Sequence, residues 1–514
     1  MSLAARDKAR TAPDELALAD ERGVIGWAEL DSILNRATNA LLASGLRPGQ
    51  RIGVFAHNSA ETVLAYLAGL HAGIASIPIN FHLTADEVAY ILRDADAGLL
   101  LVGPETAEVG VTAAQKAGVP QVIGWRSAGR CITPWSDWLA AASGAEPPTD
   151  QPPRPFLHYT SGTTGQPKGA ETPPNMFPRT ASVADFFAAM REQVAVAAPG
   201  PGLAVGPLYH TGPLGSVRQL GGGKPLVTMG RFDSEKVLET IERHGVSSSL
   251  MVPTHFQRLL ALPEATRARY DVSSLRMIAH TGAACPRDVK QRMIDWFGPV
   301  FLEAYGGTES GTTNSITSEE WLRKPGSVGK TLPPFELVVV DEDGQPLPPG
   351  QVGQLYFRDT TGRGIIYHND PEKTRAAHLA PGVFTLGEMG YVDEDGYVFI
   401  TDRVSDMIVS GGVNIYPAEA EQVLIRHPGV ADVAVIGAPN AEMGEEVKAL
   451  VIPKDAAHPP TAEALDAFCR ATLAGFKCPR SYDFVADLGR NAMGKINKRS
   501  LRRAYWPSER TIGG

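Results

Sequence analysis

The amino-acid sequence predicts an α/β protein with a large N-terminal body of βαβ subdomains, a β-rich section and a small, mobile α+β lid at the C-terminus. Three observations predict this architecture. Strand-like and helix-like segments alternate through the first hundred residues, as in βαβ units with parallel sheets. Asp-Gly turns separate strand-like runs after about Pro325, which is a hairpin pattern. The 514 residues, 43% hydrophobic and 20% charged, suffice for several globular domains.

The N-terminal block shows the clearest alternation. Its predicted elements are a helix at 27–46, a strand in RIGVFA, a helix at 60–71, a strand near 74–79, a helix at 84–92 and a strand at 98–103. Segment 62–79 has 18 residues without a formal charge, which is the lower bound for a transmembrane helix. Because Gly73 and Pro78 interrupt it, we expect a buried helix followed by a buried strand, and no membrane span.

Further elements follow a proline-rich linker at 146–155. Alternation returns between Gly202 and Leu302, with strands predicted in SSSLMVP and SLRMIAHTG. After the hairpin region, a final unit mixes the strands ADVAVIGA and VKALVIP with helices at 418–426 and 462–474. We therefore divide the chain into an N-terminal domain, 1–404, and a C-terminal lid domain, 405–514.

Charge and cysteine content exclude several classes of function. The chain has 48 basic and 57 acidic residues, a net charge of −9, which disfavours nucleic-acid binding through a broad basic face. Its cysteines are Cys131, Cys285, Cys469 and Cys478, without a CxxC pair. Neither a disulfide framework nor a zinc site is predicted, and this cysteine usage fits a reducing cytoplasm. The first residues contain no apolar signal segment, so we expect a cytoplasmic location.

A loop rich in glycine and hydroxyl groups is the strongest chemical signal. YTSGTTGQPKG runs from Tyr159 to Gly169, and its inner glycines, Gly162 and Gly165, allow backbone N–H groups to converge. Its side-chain donors are Thr160, Ser161, Thr163, Thr164 and Lys168. Such donors suit the oxygens of a polyphosphate. The loop is not a Walker A loop, because Lys168 precedes a glycine, and the strand-like FLHYT before it disfavours a plain surface loop.

This segment resembles the phosphate loop of the adenylate-forming superfamily, which includes acyl- and aryl-CoA synthetases, peptide-synthetase adenylation domains and luciferases. Further segments similar to the motifs of that superfamily follow in order along nearly the whole chain, down to NAMGKINKRSL near its end. The chain is most like a carboxylic acid–CoA ligase. The resemblance implies ATP with Mg²⁺, coenzyme A as co-substrate and a small-molecule carboxylic acid as substrate, with no nucleic acid as partner.

Two segments resemble the parts of the family that surround the nucleotide. In YGGTESG, the resemblance implies that Tyr305 stacks on adenine, that Thr308 contacts the α-phosphate and that Glu309 holds Mg²⁺. An aromatic face suits a purine and a carboxylate suits a hard cation. HTGAACP resembles the small-residue loop beside adenine and the acyl pocket. The resemblance implies that Gly282, Ala283 and Ala284 of this loop line adenine and the acyl pocket, together with Gly306 of YGGTESG. Without the family, both segments would be interpreted as glycine-rich turns.

Two further residues are candidates for the chemical step. His210, in PLYHTGP, is implied to lie beside the acyl carboxylate, although an isolated histidine is more often a core residue. Lys495, in NAMGKINKRSL, is implied to reach the α-phosphate and the substrate carboxylate. Attack of one anion on another is easier when a cation lies between them.

The ribose and lid motifs depart from the family pattern. Glu388 and Arg403 stand at the ribose positions, where the family usually has Asp in place of the glutamate. A longer carboxylate can still accept hydrogen bonds from two vicinal hydroxyls. Ser405 stands at the hinge position, which is usually Asp or Lys, and Gly411 and Gly412 are implied to line the coenzyme A tunnel. GAETPPNM also differs, because two prolines replace a hydrophobic pair, which predicts a differently shaped approach to the nucleotide.

The resemblance implies a two-step reaction: the acid and ATP give acyl-AMP and pyrophosphate, and coenzyme A then gives acyl-CoA and AMP. Small residues along the pocket favour a bulky aryl, alicyclic or terpenoid acid, or a fatty acid, over a short acid. The small residues that are expected to line the acyl pocket include Gly212, Gly215 and Gly221–Gly223. The alternatives are an AMP-only ligase, a carrier-protein-directed adenylating enzyme and a non-catalytic acyl or nucleotide binder. The oligomeric state, including a homodimer, stays open.

Overall fold

The computed structural model describes residues 3–127, 129–160, 167–341, 343–403, 406–410, 413–440, 443–491 and 494–506. The helices are α1 (Ala4–Thr11), α2 (Trp27–Leu42), α3 (Ala60–His71), α4 (Ala85–Asp94), α5 (Ala107–Ala117), α6 (Trp135–Ala140), α7 (Val183–Val196), α8 (Thr211–Gly221), α9 (Ser234–His244), α10 (Pro253–Leu260), α11 (Glu264–Arg267), α12 (Arg287–Phe297), α13 (Ser318–Arg323), α14 (Pro371–Ala376), α15 (Pro417–Leu424), α16 (Ala462–Arg470) and α17 (Lys498–Arg502).

The strands of the N-terminal sheets are β1 (Leu16–Asp20), β2 (Gly23–Gly26), β3 (Arg51–Phe55), β4 (Ser76–Pro78), β5 (Ala97–Val102), β6 (Gln121–Gly124), β7 (Thr133–Pro134), β8 (Leu157–Thr160), β9 (Lys168–Glu171), β10 (Gly202–Ala204), β11 (Leu226–Thr228), β12 (Ser248–Met251), β13 (Met277–His280), β14 (Phe301–Gly307), β15 (Gly311–Thr317) and β16 (Lys330–Thr331). The later strands are β17 (Phe335–Val340), β18 (Gly353–Asp359), β19 (His378–Ala380), β20 (Val383–Phe384), β21 (Glu388–Val392), β22 (Val398–Arg403), β23 (Ile408–Ser410), β24 (Val413–Ile415), β25 (Val430–Asn440), β26 (Gly444–Pro453) and β27 (Ser481–Phe484).

The first sheet confirms the predicted βαβ alternation. Its order is β4-β3-β5-β6-β7, and all neighbours are parallel. The uncharged segment becomes α3 and β4: the Ser59 hydroxyl caps the helix at the Thr62 N–H, and Gly73 turns the chain with φ +65°. Within the described part of the chain, no helix is long and apolar enough to cross a membrane.

A nine-stranded sheet positions the site. Its order is β16-β15-β14-β13-β12-β10-β11-β1-β2, with parallel pairing from β14 to β1 and antiparallel strands at both edges. PLYHTGP follows β10, HTGAACP begins at the end of β13, and YGGTESG overlaps the end of β14. Because the carboxyl ends of parallel strands meet at one edge of a sheet, these three motifs converge there.

The β-rich section is antiparallel, as the Asp-Gly pattern predicts. β17 pairs with β18, and β21 forms a hairpin with β22 around the turn at 393–396. The connection from β17 to β18 is longer than a tight hairpin loop.

The C-terminal unit has its own sheet and core. The order is β24-β23-β26-β25, and β27 joins β26 in parallel. Ile408, Val435, Ala449 and Leu465 are among its buried residues. The mixed strands and helices are the α+β arrangement predicted for this part of the chain.

Candidate active site

Tyr305 and Glu388 meet at the end of β14. The Tyr305 hydroxyl donates a hydrogen bond to Glu388 Oε2 at 2.8 Å, and the glutamate is 7% exposed. Glu388 and Arg403 are register partners on the antiparallel strands β21 and β22. The structure therefore brings together the predicted adenine residue and the two predicted ribose positions. The longer glutamate side chain reaches the tyrosine, which is a contact the sequence does not reveal.

The backbone of YGGTESG is shaped by close approach. Gly306 has φ +156°, and a side chain there would collide with the Gly311 carbonyl on the neighbouring strand β15. Gly311 has φ +72°, which favours glycine. The two glycines thus let β14 and β15 meet tightly, and this turn presents Thr308 and Glu309.

Glu309 is held by a tyrosine from a distant segment. Tyr367 donates its hydroxyl proton to Glu309 Oε1 at 3.0 Å. Burial, together with the charge of Glu309, raises the pKa of Tyr367 well above its usual value, so the phenol stays protonated and donating. Among the described residues, no cluster of three or more Asp, Glu, His or Cys side chains could hold a metal ion. One oriented carboxylate fits Mg²⁺, which is commonly bound by one or two carboxylates together with substrate phosphates.

Two lysines lie beside this pair. Lys373 Nζ is 3.7 Å from the ring centroid of Tyr367. Burial and an interaction with the neighbouring Lys168 side chain lower the pKa of Lys373 to about 8. Two adjacent cationic side chains repel each other, and an anion between them would relieve that repulsion.

Strand pairing explains how Lys168 and Lys373 come together. Lys168 opens β9, and β9 also contacts segment 366–368: Glu171 N–H donates to the Ile366 carbonyl and His368 N–H to the Gly169 carbonyl. Thr160 and Lys168 are register partners on β8 and β9. The predicted phosphate loop therefore connects two antiparallel strands.

His210 precedes α8 as its N-cap residue, and Lys495 lies close to it. The Nε2 atom of His210 is buried without a hydrogen-bond partner among the described residues. Burial, and then the charge of Lys495, lower the pKa of His210 to about 3. The imidazole is therefore neutral, and Lys495 is within electrostatic range of it.

The C-terminal unit approaches helix α10 of the body closely at Gly494. Gly494 has φ +71°, and a side chain at this position would collide with the Thr254 hydroxyl of α10. The neighbouring Lys495 is itself exposed. Its segment is fixed from within the C-terminal unit, because Arg490 donates to the Gly494 carbonyl at 2.5 Å and forms an ion pair with Asp432 at 2.6 Å.

Contacts at the start of α8 connect the acyl and nucleotide motifs. Thr211 Oγ1 is 3.3 Å from Thr308 Oγ1. In the small-residue loop, Gly282 has φ +92°, Gly282 and Ala283 are half-buried and Ala284 is exposed. The hydroxyl contact therefore connects the acyl motif PLYHTGP with the nucleotide motif YGGTESG.

Other predicted residues lie outside the described residues. These are Ser161, Gly162, Thr163, Thr164 and Gly165 of the phosphate loop, the hinge residue Ser405, and Gly411 and Gly412 of the coenzyme A tunnel. For Arg403 the structure describes only the backbone.

The prediction that Gly221–Gly223 line the acyl pocket is wrong for its first two residues. A side chain at Gly221 would collide with the Phe187 ring of α7, and one at Gly222 would meet the Met190 backbone. These glycines permit close packing of two helices in the core. Only the nearby structure distinguishes such a glycine from one that faces a pocket.

Several site residues were missed by the sequence analysis. Tyr367, Lys373 and Asn175 belong to this group, and Asn175 donates to the Ser310 carbonyl at 3.2 Å. The segment YHNDPEKT resembles an ordinary loop and helix start. Its only signal was an aromatic residue shortly before a helix and a lysine in the first turn of that helix.

Comparisons with known proteins agree with this geometry. The AMP-binding enzyme family matches residues 5–364, and the AMP-binding enzyme C-terminal domain matches residues 419–495. A feruloyl-CoA synthase of an Amycolatopsis species is 34% identical, over 97% of each chain. The fatty acid–[acyl-carrier-protein] ligase ScoC of Streptomyces coeruleorubidus is 32% identical, over 96% of this chain and 94% of its own.

A solved structure shares the whole architecture. The o-succinylbenzoate CoA synthetase of Bacillus subtilis, in complex with its acyl-adenylate intermediate, has a TM-score of 0.80 and 27% identity over 98% of both chains. The family match covers most of the chain, and the adenine, ribose and lysine motifs meet at one edge of the large sheet. The chain therefore belongs to the AMP-binding enzyme family, as an adenylate-forming enzyme of the carboxylic acid–CoA ligase type.

Proposed function

We propose that this protein is a cytoplasmic acyl-CoA synthetase that first adenylates a carboxylic acid and then transfers the acyl group to coenzyme A. The observation that carries this proposal is the convergence of Lys495, His210 and Thr308 around the start of α8. A cation, a neutral imidazole and a hydroxyl meet where the resemblance expects the two reacting anions.

In the first step, the acid carboxylate attacks the α-phosphorus of ATP and pyrophosphate leaves. Lys495 reduces the repulsion between the two anions and stabilises the charge that develops on the phosphorus. His210 lies beside the carboxylate, and because its imidazole is neutral it adds no charge there. Thr308 donates to the α-phosphate, while the loop from Thr160 to Lys168 and the neighbouring Lys373 bind the outer phosphates.

Nucleoside recognition rests on Tyr305, Glu388 and Arg403. The Tyr305 ring stacks on adenine, and its hydrogen bond to Glu388 orients the carboxylate toward the ribose hydroxyls. Mg²⁺ would be held by Glu309, which Tyr367 orients, and when bound it would neutralise phosphate charge.

In the second step, the thiol of coenzyme A attacks acyl-AMP and AMP leaves. The C-terminal domain, which begins at Ser405, rotates about that hinge, so that Lys495 leaves and Gly411 and Gly412 line the path of the thiol. One small domain serves both half-reactions and cannot present both surfaces to the site at once.

The substrate that we propose is a bulky aryl or alicyclic acid. Small residues at the half-buried positions Gly282, Ala283 and Gly215 support this choice. Two relatives named above are a feruloyl-CoA synthase and an o-succinylbenzoate CoA synthetase. A third is a fatty acid–[acyl-carrier-protein] ligase, so a carrier-protein thiol is the second candidate acceptor.

The test measures pyrophosphate and AMP release over a panel of aryl, alicyclic and fatty acids, with and without coenzyme A. We expect acid-dependent pyrophosphate release, and multiple turnovers of AMP only with coenzyme A. Turnover with a phosphopantetheinylated carrier protein alone would favour the second acceptor. Absence of acid-dependent pyrophosphate release for every class would contradict the proposed function.

A further inference from the structure

One face of helix α8 borders the site and carries an arginine. The half-buried residues of the helix are Thr211, Gly212, Gly215, Ser216, Arg218 and Gln219, whereas its buried residues form the opposite face. Thr211, Gly215 and Arg218 follow the i, i+4, i+7 spacing and so share one edge of this face. Thr211 contacts Thr308 of the nucleotide motif. The same edge therefore leads from the reacting centre toward Arg218.

The guanidinium of Arg218 lies between α8 and the segment before α7. Its Nη1 donates to the Met176 carbonyl at 2.5 Å, and its Nη2 is 3.7 Å from the position of a Cβ on Gly215. Helical side chains point toward the N-terminus of their helix, which here is the end at His210. Met176 in turn packs against Gly311. The arginine is therefore directed into the region that the acyl and nucleotide motifs enclose.

The half-buried Arg218 has no carboxylate partner within the described part of the chain, and its polar contact is the Met176 carbonyl. Burial alone lowers the pKa of its guanidinium to about 10. The nearby His158 adds no second positive charge, because burial, followed by the charge of Arg218, lowers its pKa to about 3 and keeps it neutral. Removing a charge from water is costly unless an opposite charge compensates for it.

We propose that Arg218 binds a second carboxylate of the acid substrate, so that the preferred substrates are dicarboxylic acids. This inference rests on the proposed function and names its substrate class. The guanidinium lies near Gly215, five residues along the helix from His210, or about 7–8 Å at 1.5 Å per residue. That spacing suits two carboxylates separated by a short chain or by one aromatic ring. Charge-assisted, bidentate contacts to a carboxylate are the strongest that an arginine makes.

The contrasting interpretation is that Arg218 only fixes the Met176 carbonyl. That role would leave the choice of substrate unaffected, because the backbone contact is present whichever acid is bound. The two roles therefore predict different ratios of activity with diacids to activity with monoacids when Arg218 is replaced.

The experiment compares matched acids on the wild-type enzyme, Arg218→Met and Arg218→Lys. Hexanedioate is paired with hexanoate, and 3-(4-carboxyphenyl)propanoate with 3-phenylpropanoate. We expect the wild type to prefer each diacid in kcat/KM, and Arg218→Met to lower that preference by at least about tenfold, since truncating one partner of a buried charge pair is costly. Arg218→Lys should retain part of the preference. Arg93→Met is the matched control, because Arg93 Nη1 also donates to a backbone carbonyl but is exposed.

Calorimetric titration of the same acids, with a non-hydrolysable ATP analogue present, separates this inference from the proposed function. If the wild type binds the diacids more tightly than the monoacids and Arg218→Met does not, the role of Arg218 is supported even if no acid releases pyrophosphate. A wild-type enzyme that binds and turns over monoacids and diacids equally would overturn it. An equal diacid preference in wild type and in an Arg218→Met enzyme that still binds AMP would also overturn it.

Discussion

The wall of the site on the N-terminal body and the lysine of the C-terminal unit are built in different ways. On the body, functional side chains hold each other: Tyr305 donates to Glu388, and Tyr367 donates to Glu309. Lys495 is exposed, and its segment is fixed by Arg490 from within its own unit. Contact with the body at this point depends on the bare backbone of Gly494 against Thr254.

This difference indicates a division of tasks. In the proposed reaction, the groups of the body bind the nucleotide in both half-reactions, and they gain from being oriented in advance because no reorganisation is then needed at the moment of reaction. Lys495 must withdraw for the proposed second half-reaction, and it gains from a scaffold that moves with it. The predictions below test the two constructions separately.

The largest effect is expected for Lys495→Ala. Loss of one preorganised cation at a developing charge should lower kcat for acyl-AMP formation by about 10²–10³. Thioester formation from supplied acyl-AMP should stay near wild type, because the lysine has then withdrawn. Pyrophosphate release and thioester formation are measured separately. Equal loss in both would show that the lysine supports the fold or coenzyme A binding.

Glu388→Ala should raise the KM for ATP by roughly 10- to 100-fold, because hydrogen bonds to a charged group contribute about 1.5–3 kcal/mol. Glu388→Asp is the matched variant. It can still chelate the ribose hydroxyls but is too short by one methylene to keep its bond to Tyr305 unchanged. Its KM should lie between those of the wild type and Glu388→Ala. An unchanged KM in Glu388→Ala would assign ribose binding to another group.

Lys373→Met should raise the KM for ATP by roughly three- to tenfold, with a smaller change in the KM for the acid. In the proposed site, Lys373 and its neighbour Lys168 bind the outer phosphates together, so that one cation remains in the variant. Lys373→Arg keeps the charge and should recover most of the affinity. A variant whose ATP and pyrophosphate affinities match the wild type would place Lys373 outside the phosphate site.

The smallest effect concerns acid stability, which should also differ between the two regions. Burial lowers the pKa of seven histidines, all in the N-terminal body within the described residues: His57, His71, His158, His210, His244, His255 and His280. For His71 the folded value is about 3. The unfolded state, with a pKa of about 6.5, therefore binds more protons below that pH, and stability falls as pH falls.

His71→Leu should remove up to about 1.4 kcal/mol per pH unit of this loss below pH 6.5. Urea unfolding at pH 7.5 and 5.5 measures the difference. The wild type, unfolded at the same two pH values, is the reference. Identical pH dependence in His71→Leu would show that His71 does not stay neutral in the folded state.

The sequence predicted the elements and motifs that depend on neighbouring residues. The helix at 60–71, the strands around 51–55 and 97–102 and the hairpin ending at Arg403 all match, because hydrophobic spacing and turn residues act locally. Lys373 and Tyr367 were missed because their role arises from the pairing of β9 with segment 366–368. Arg218 was missed because only the folded helix shows which face borders the site.

The contact of Gly494 with Thr254 makes position 494 sensitive to the size of its side chain. A single methyl group there would collide with the hydroxyl, and φ +71° would strain any other residue. The distance of the C-terminal unit from the body could thus be varied through the size of the side chain at position 494. Lys495 and the side chains of the body would not be altered by such a substitution. In the proposed mechanism, the side chain at position 494 would therefore set the ratio of the two half-reactions without changing the groups that carry out either.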